Sequence, residues 1–220
     1  MKNPISLLLM TGCLMAGCTT GSWTAEERAL IERQPAVMRV LTISDPGDAA
    51  VLREKSRELP AQALADPLYA ELAVKMVATV TSPEQDGVGI AGPQVGVLRR
   101  IVAVQRFDKE GEPFEVYPNI RIIAQRGEPE PGAEGCLSVP DRRGTVLRYR
   151  DIDILYTDPA TGRDTTERIE ASLPSFSSTR PTTSTACYTS TNWKRMRIIN
   201  LPNSHEQIPK IYSSRSLPGE

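Results

Sequence analysis

The feature that most limits how this 220-residue chain can fold is a break in composition at Ala171. Residues 151–170 carry six acidic side chains, whereas no Asp or Glu follows until Glu206. The tract from Ser172 to Cys187, rich in Ser, Thr and Pro, has neither helical nor strand period and reads as a disordered tail. A packed core must therefore come from the residues before it. The length allows one domain with appendages, and 40% hydrophobic with 24% charged residues is ordinary globular usage. With 26 Lys+Arg against 27 Asp+Glu the net charge is -1, so no basic field exists to hold phosphates, and no nucleic-acid partner is expected. The chain has one histidine, His205, which excludes any two-imidazole mechanism for the sequence as written. Its four cysteines, at 13, 18, 136 and 187, are too few and scattered for a disulfide-stapled scaffold.

Lys2, the apolar run Ile5–Met10 and Leu14–Gly17 before Cys18 have the parts of a secretory signal, too short to cross a bilayer as a mature helix. The small residues ahead of Cys18 resemble a bacterial lipobox, in which that cysteine is diacylated. This implies a lipid-anchored protein of the cell envelope. Initiation further in, at Met38 for example, is the alternative and would leave it cytoplasmic. Residues 19–35 read as a polar spacer in which Thr24-Ala25-Glu26-Glu27 forms a capping box. Asp66-Pro67 opens a helix running to about Thr81, with Leu68, Leu72, Met76 and Val80 on the core face and Glu71–Lys75 as an ion pair outside it. After Ser82-Pro83 come a glycine-rich loop and strand-like runs at 100–106, 114–124, 145–150 and 152–157, the last closed by a turn at Asp158–Gly162. One helix with antiparallel-looking strands makes the fold class α+β.

Two segments carry chemistry. Gly87-Val88-Gly89-Ile90-Ala91-Gly92-Pro93-Gln94 brings backbone close to a ligand and ends in an amide. Glu134-Gly135-Cys136-Leu137-Ser138 places a thiol beside a carboxylate. Alone, the first is most often a turn and the second a buried structural thiol. Together, in this order, they resemble the first two signatures of the peptide deformylases, metal-dependent hydrolases that remove the formyl group from N-terminal methionine. The first departs from the family pattern at Gly92, where alanine is usual; the second matches in full. Arg39–Pro46 resembles the family's opening strand, and Asn119-Ile120 its Asn-Pro-x-Ile turn.

The resemblance implies a peptide-deformylase-like fold of antiparallel strands around a central helix over residues 36–170, acting on formyl-methionyl peptides. It makes Cys136 a thiolate ligand of Fe(II) or Zn(II), with room for two imidazoles and a water. Gln94 and the backbone N–H of Leu137 become oxyanion donors. Val88 and Gly89 line the methionine pocket, and Glu134 supports the site from behind.

The family's third signature, a helix with His-Glu-x-x-His, supplies both imidazoles and the glutamate that shuttles the proton. It is missing here. His205-Glu206 has no second histidine and is followed by Pro209, which disrupts a helix. Read one base out of phase, however, Ser178 becomes compatible with Gln, Thr179 with His, Arg180 with Glu, Thr182 with Asp, Thr183 with His and Ser184 with Leu. The compatibility continues to Trp193 and recovers the family's metal-binding helix. The expectation is a frameshift at or just before Ala171, with 171–220 out of frame, the central helix lost, and the chain inactive as written. The alternative function is a non-catalytic, lipid-anchored envelope protein that uses the fold to bind peptides.

Overall fold

The computed structural model describes residues 22–170; the signal-like segment with Cys18, and residues 171–220 with His205, lie outside them. Helices α1 (Ala25–Arg33), α2 (Pro46–Arg53), α3 (Ala61–Leu64) and α4 (Pro67–Val80) come first. Eight strands follow: β1 (Gly89–Ala91), β2 (Ile101–Gln105), β3 (Phe114–Pro118), β4 (Arg121–Arg126), β5 (Glu130–Cys136), β6 (Val139–Arg148), β7 (Asp151–Thr157) and β8 (Asp164–Glu170). They pair antiparallel as β1-β2-β3, β4-β7-β8 and β5-β6. The α+β architecture is the one the sequence implies.

Helix α4 forms where capping chemistry and apolar spacing agree. Asp66 accepts from the Leu68 N–H, Pro67 stands at the first turn, and Leu68, Leu72, Met76 and Val80 are all buried. They meet Ile31 of α1 and Ile90, Val95, Val97 and Ile101 in the main core. β2 is buried on both faces: Ile101 and Ala103 enter this core, whereas Val102 and Val104 enter a smaller one with Tyr117, Ile120 and Ile154. It is the wall the two cores share.

Three expectations need correction. Residues 23–34 are not slack spacer: Trp23 and Ile31 are buried, and Glu27, besides closing the expected capping box with Thr24, bonds Arg99 at 2.7 Å through both oxygens. A pairing 72 residues apart leaves no local trace in the sequence. The apolar run 114–124 is two strands, because Asn119 adopts φ 57° between them. Its amide accepts from Leu59 N and donates to Leu59 O and Thr157 Oγ1, at 2.7, 2.8 and 3.0 Å. Residues 39–45 form no strand; Asp48 gathers them through the Arg39 guanidinium at 2.8 and 2.7 Å and the Thr42 N–H at 3.0 Å.

Candidate functional site

The glycine-rich segment is less a loop than an edge strand, β1, running into a 3₁₀ turn at Gly92–Val95. The turn is tight at its first residue. A Cβ on Gly92 would lie 2.7 Å from the carbonyl oxygens of both Val97 and Arg99, so the departure from alanine is matched by backbone that closes in on it. Gln94 is buried on this turn, with Oε1 accepting from Ala91 N at 2.9 Å. That contact settles which end of the amide faces outward. Nε2 donates to Ser138 Oγ at 3.2 Å and stands 4.0 Å from Cys136 Sγ.

Cys136 ends β5 where the hairpin slips register: Gly135 pairs with Arg143, but Cys136 with Val139. Past the slip, Leu137 packs on the main core and the buried Ser138 meets Gln94. Cys136 is a half-buried thiol. Two residues back, Glu134 is buried and clamped by Arg148, whose Nε and Nη2 each donate at 3.0 Å. Such a bidentate pair pins the strand one turn of the pleat behind the thiol.

The segment 39–45 joins the two motifs. Leu41 N donates to Gln94 O at 2.8 Å and Ile43 N to Ser138 O at 2.9 Å. Val88 and Gly89 stand at the mouth of β1, where Val88 O accepts from Gln105 N at 2.8 Å and Gly89 pairs with Val104. From the other side α1 supports the turn: Gln34 Nε2 donates to Val95 O at 3.5 Å, and Leu30 packs over Gly96. Burial raises the Glu27 carboxyl, but hydrogen bonds from Arg99 and from Thr24 N–H outweigh it and leave it below the usual carboxylate range.

The structure thus brings Gln94, Cys136, Leu137 and Ser138 together, sets Glu134 behind them, and places Val88 just before β1 and Gly89 at its start. Ser138 is the contact that sequence reasoning did not assign a part, although it closes the second motif. A catalytic divalent site takes three protein donors and an open position. Among the described residues no three His, Cys, Asp or Glu side chains gather to hold an ion, and Cys136 contributes one donor. These residues do not fit a metal centre.

The sequence profile of the polypeptide deformylase family matches residues 37–173. The peptide deformylase of Finegoldia magna is 34% identical over 123 residues, 56% of this chain and 69% of that protein. That of Desulforudis audaxviator is 39% identical over 113 residues, 51% of this chain and 66% of the relative. Among solved structures, class I type b peptide deformylase from Acinetobacter baumannii superposes with a TM-score of 0.53 at 30% identity, covering 61% of this chain and 84% of that one. The Thermotoga maritima enzyme gives 0.51 at 27%, covering 61% and 82%. One Acinetobacter structure, at 29% identity and TM-score 0.52, is bound to Met-Ala-Ser.

Proposed function

Because this chain belongs to the polypeptide deformylase family, matched over residues 37–173, we propose that it carries the peptide-facing part of a deformylase site without the metal-holding part. Its substrates by descent are formyl-methionyl peptides, and as written it does not hydrolyse them. The observation that carries this reading is the Gln94 amide, aimed by Ala91 N at Ser138 Oγ and Cys136 Sγ in a site with one metal donor.

Gln94 Nε2 and the Leu137 N–H are the donors to the oxyanion that forms when a nucleophile adds to the formyl carbon. Val88 and Gly89 hold the peptide along β1 and line the methionine pocket. Glu134, held by Arg148, keeps the Cys136 strand in place. In the frame-restored protein, Cys136 and two imidazoles would hold Fe(II) or Zn(II), which would supply an activated water. The glutamate that would move the proton and the two histidines are missing from the described residues, and the sequence has one histidine in all.

The missing residues are written out of frame. The family match ends at 173 although the chain continues to 220, and the Ser178–Trp193 tract is compatible, one base out of phase, with the metal-binding helix. Resequencing codons 165–175 tests this, and a continuous frame with no alternative encoding His-Glu-x-x-His would sink it. The assay is formate release from a formyl-Met peptide. The chain as written gives none above a metal-only blank, whereas the frame-restored protein releases formate and holds about one iron or zinc. Formate from the chain as written overturns the reading.

The N-terminal residues favour export with a lipid on Cys18, which sits awkwardly with cytosolic substrates and supports a second reading, a non-catalytic envelope protein that binds peptides. A frame-restored protein that holds neither iron nor zinc decides for it.

A further inference from the structure

Resting on the lipid-anchored reading above, we propose that the domain sits directly on the bilayer, with the Ser22 end of α1 facing the lipid headgroups, rather than swinging on a tether. The described fold leaves no slack once it starts. The Ser22 carbonyl accepts from Arg99 Nη2 at 3.1 Å, and the buried Trp23 donates from Nε1 to Ala63 O at 3.1 Å. Glu27 holds Arg99 through both oxygens at 2.7 Å and takes Arg57 at 3.1 Å. At the far end of α1, Lys75 Nζ donates to Ile31 O and Gln34 O at 2.6 and 2.9 Å. From Ser22 to Gln34 every turn of backbone is fastened to the body.

Only four peptide steps separate Cys18 from Ser22, and fully drawn out they reach about 14 Å. A cysteine carrying two acyl chains is firmly anchored at the membrane surface. Ser22 is then confined to roughly that distance from the headgroups. The residues around Ser22 define the face presented. Arg99 also donates to Glu58 O at 3.0 Å, and the exposed Glu58 pairs with Arg100 at 2.8 Å and Arg121 at 3.9 Å. From Arg121 the strand β4 extends to Arg126, about 17 Å along the chain, and leads to the exposed turn at Gly127-Glu128.

The test uses the full chain made in a bacterial host, labelled with palmitate, and reconstituted in vesicles of phosphatidylethanolamine and phosphatidylglycerol doped with a headgroup nitroxide lipid. A coumarin side chain replaces Glu58 in one variant and Glu128 in another. The expected result is palmitate incorporation that C18A abolishes, with quenching several-fold stronger at 58 than at 128. A Gly/Ser insert of about 20 residues after Thr20, spanning about 25 Å, brings position 58 down to the level of 128. Palmitate incorporation with equal quenching at both positions overturns the orientation alone. Absence of palmitate overturns the lipid anchor and the orientation with it.

Discussion

Residues 22–120 and residues 121–170 bury their side chains very differently. In the first stretch Ile31, Leu72, Met76, Val80, Ile90, Val95 and Val97 are each 0% exposed, and helices cover what the strands leave open. In the second, Ile154 is the one hydrophobic side chain buried among those described; large apolar side chains lie open in both stretches, Val37, Ile43 and Val74 in the first and Ile122, Ile123 and Leu147 in the second. Among the described residues the second stretch has strands and hydrogen bonds in good order but no layer over them. An antiparallel sheet with only one covered face gains little apolar burial. Under the proposal that the frame is lost after Glu170, the helix written out of frame would be the missing layer: the half made first keeps its core, and the half made last keeps its ladders.

The sharpest way to break this contrast is in the main core. Leu72→Ala should cost about 3–5 kcal/mol, since a closed core relaxes poorly around a cavity, read as a fall in the denaturation midpoint. Next comes Glu27→Ala, which leaves the buried Arg99 guanidinium without a counter-charge and should cost about 3 kcal/mol. Because the Glu27 carboxyl is held below its usual range, its contribution is complete above the unfolded value of about 4.3 and is lost as pH falls through that value and below it. Thermal melts from neutral pH to pH 3 should therefore drop more steeply for the native protein than for Glu27→Gln, and parallel curves would remove Glu27 from the explanation.

Asn119→Ala tests the join between the halves. It unpairs both Leu59 backbone groups and releases Thr157, for about 2 kcal/mol. Hydrogen exchange should speed up in β7 and β8 while α4 stays protected; uniform loss across the chain would show one cooperative unit instead. Gly92→Ala, the residue usual in the family, should cost about 1–2 kcal/mol through overpacking against Val97 O and Arg99 O. Smallest of all, Leu147→Ala on the open hairpin should change stability by less than about 0.5 kcal/mol. A Leu147 effect matching that of Leu72 would mean the strand half is covered after all.

Much of the helical half was legible because its signals are local. Asp66-Pro67 and the four-residue spacing of Leu68, Leu72, Met76 and Val80 lie within one helix, and Thr24 and Glu27 within one turn. The docking of α1 was not, since it depends on Arg99, far along the chain. The break at Asn119 was hidden because an asparagine inside an apolar run looks like strand until its side chain is seen tied to Leu59. β1 is too short and glycine-rich to show a period, and β8 alternates Thr, Glu and Arg with one isoleucine, so neither was marked. At the site, Gln94, Cys136 and Glu134 were legible as motif residues. The part of Ile43, whose N–H reaches Ser138, was not, for a backbone donor has no signature in residue type.

The buried Glu27–Arg99 pair also bears on how the protein should be cloned. A family match beginning at residue 37 invites an expression boundary there, yet a chain cut at that point loses Trp23, Glu27 and Ile31 together. It strips the cover from Leu72 and Met76 and strands Arg99, 6% exposed at its side chain, without a counter-charge. Domain limits drawn by similarity and by physics differ here by some fifteen residues. A gene trimmed to the first should yield insoluble protein whatever is done to its reading frame downstream.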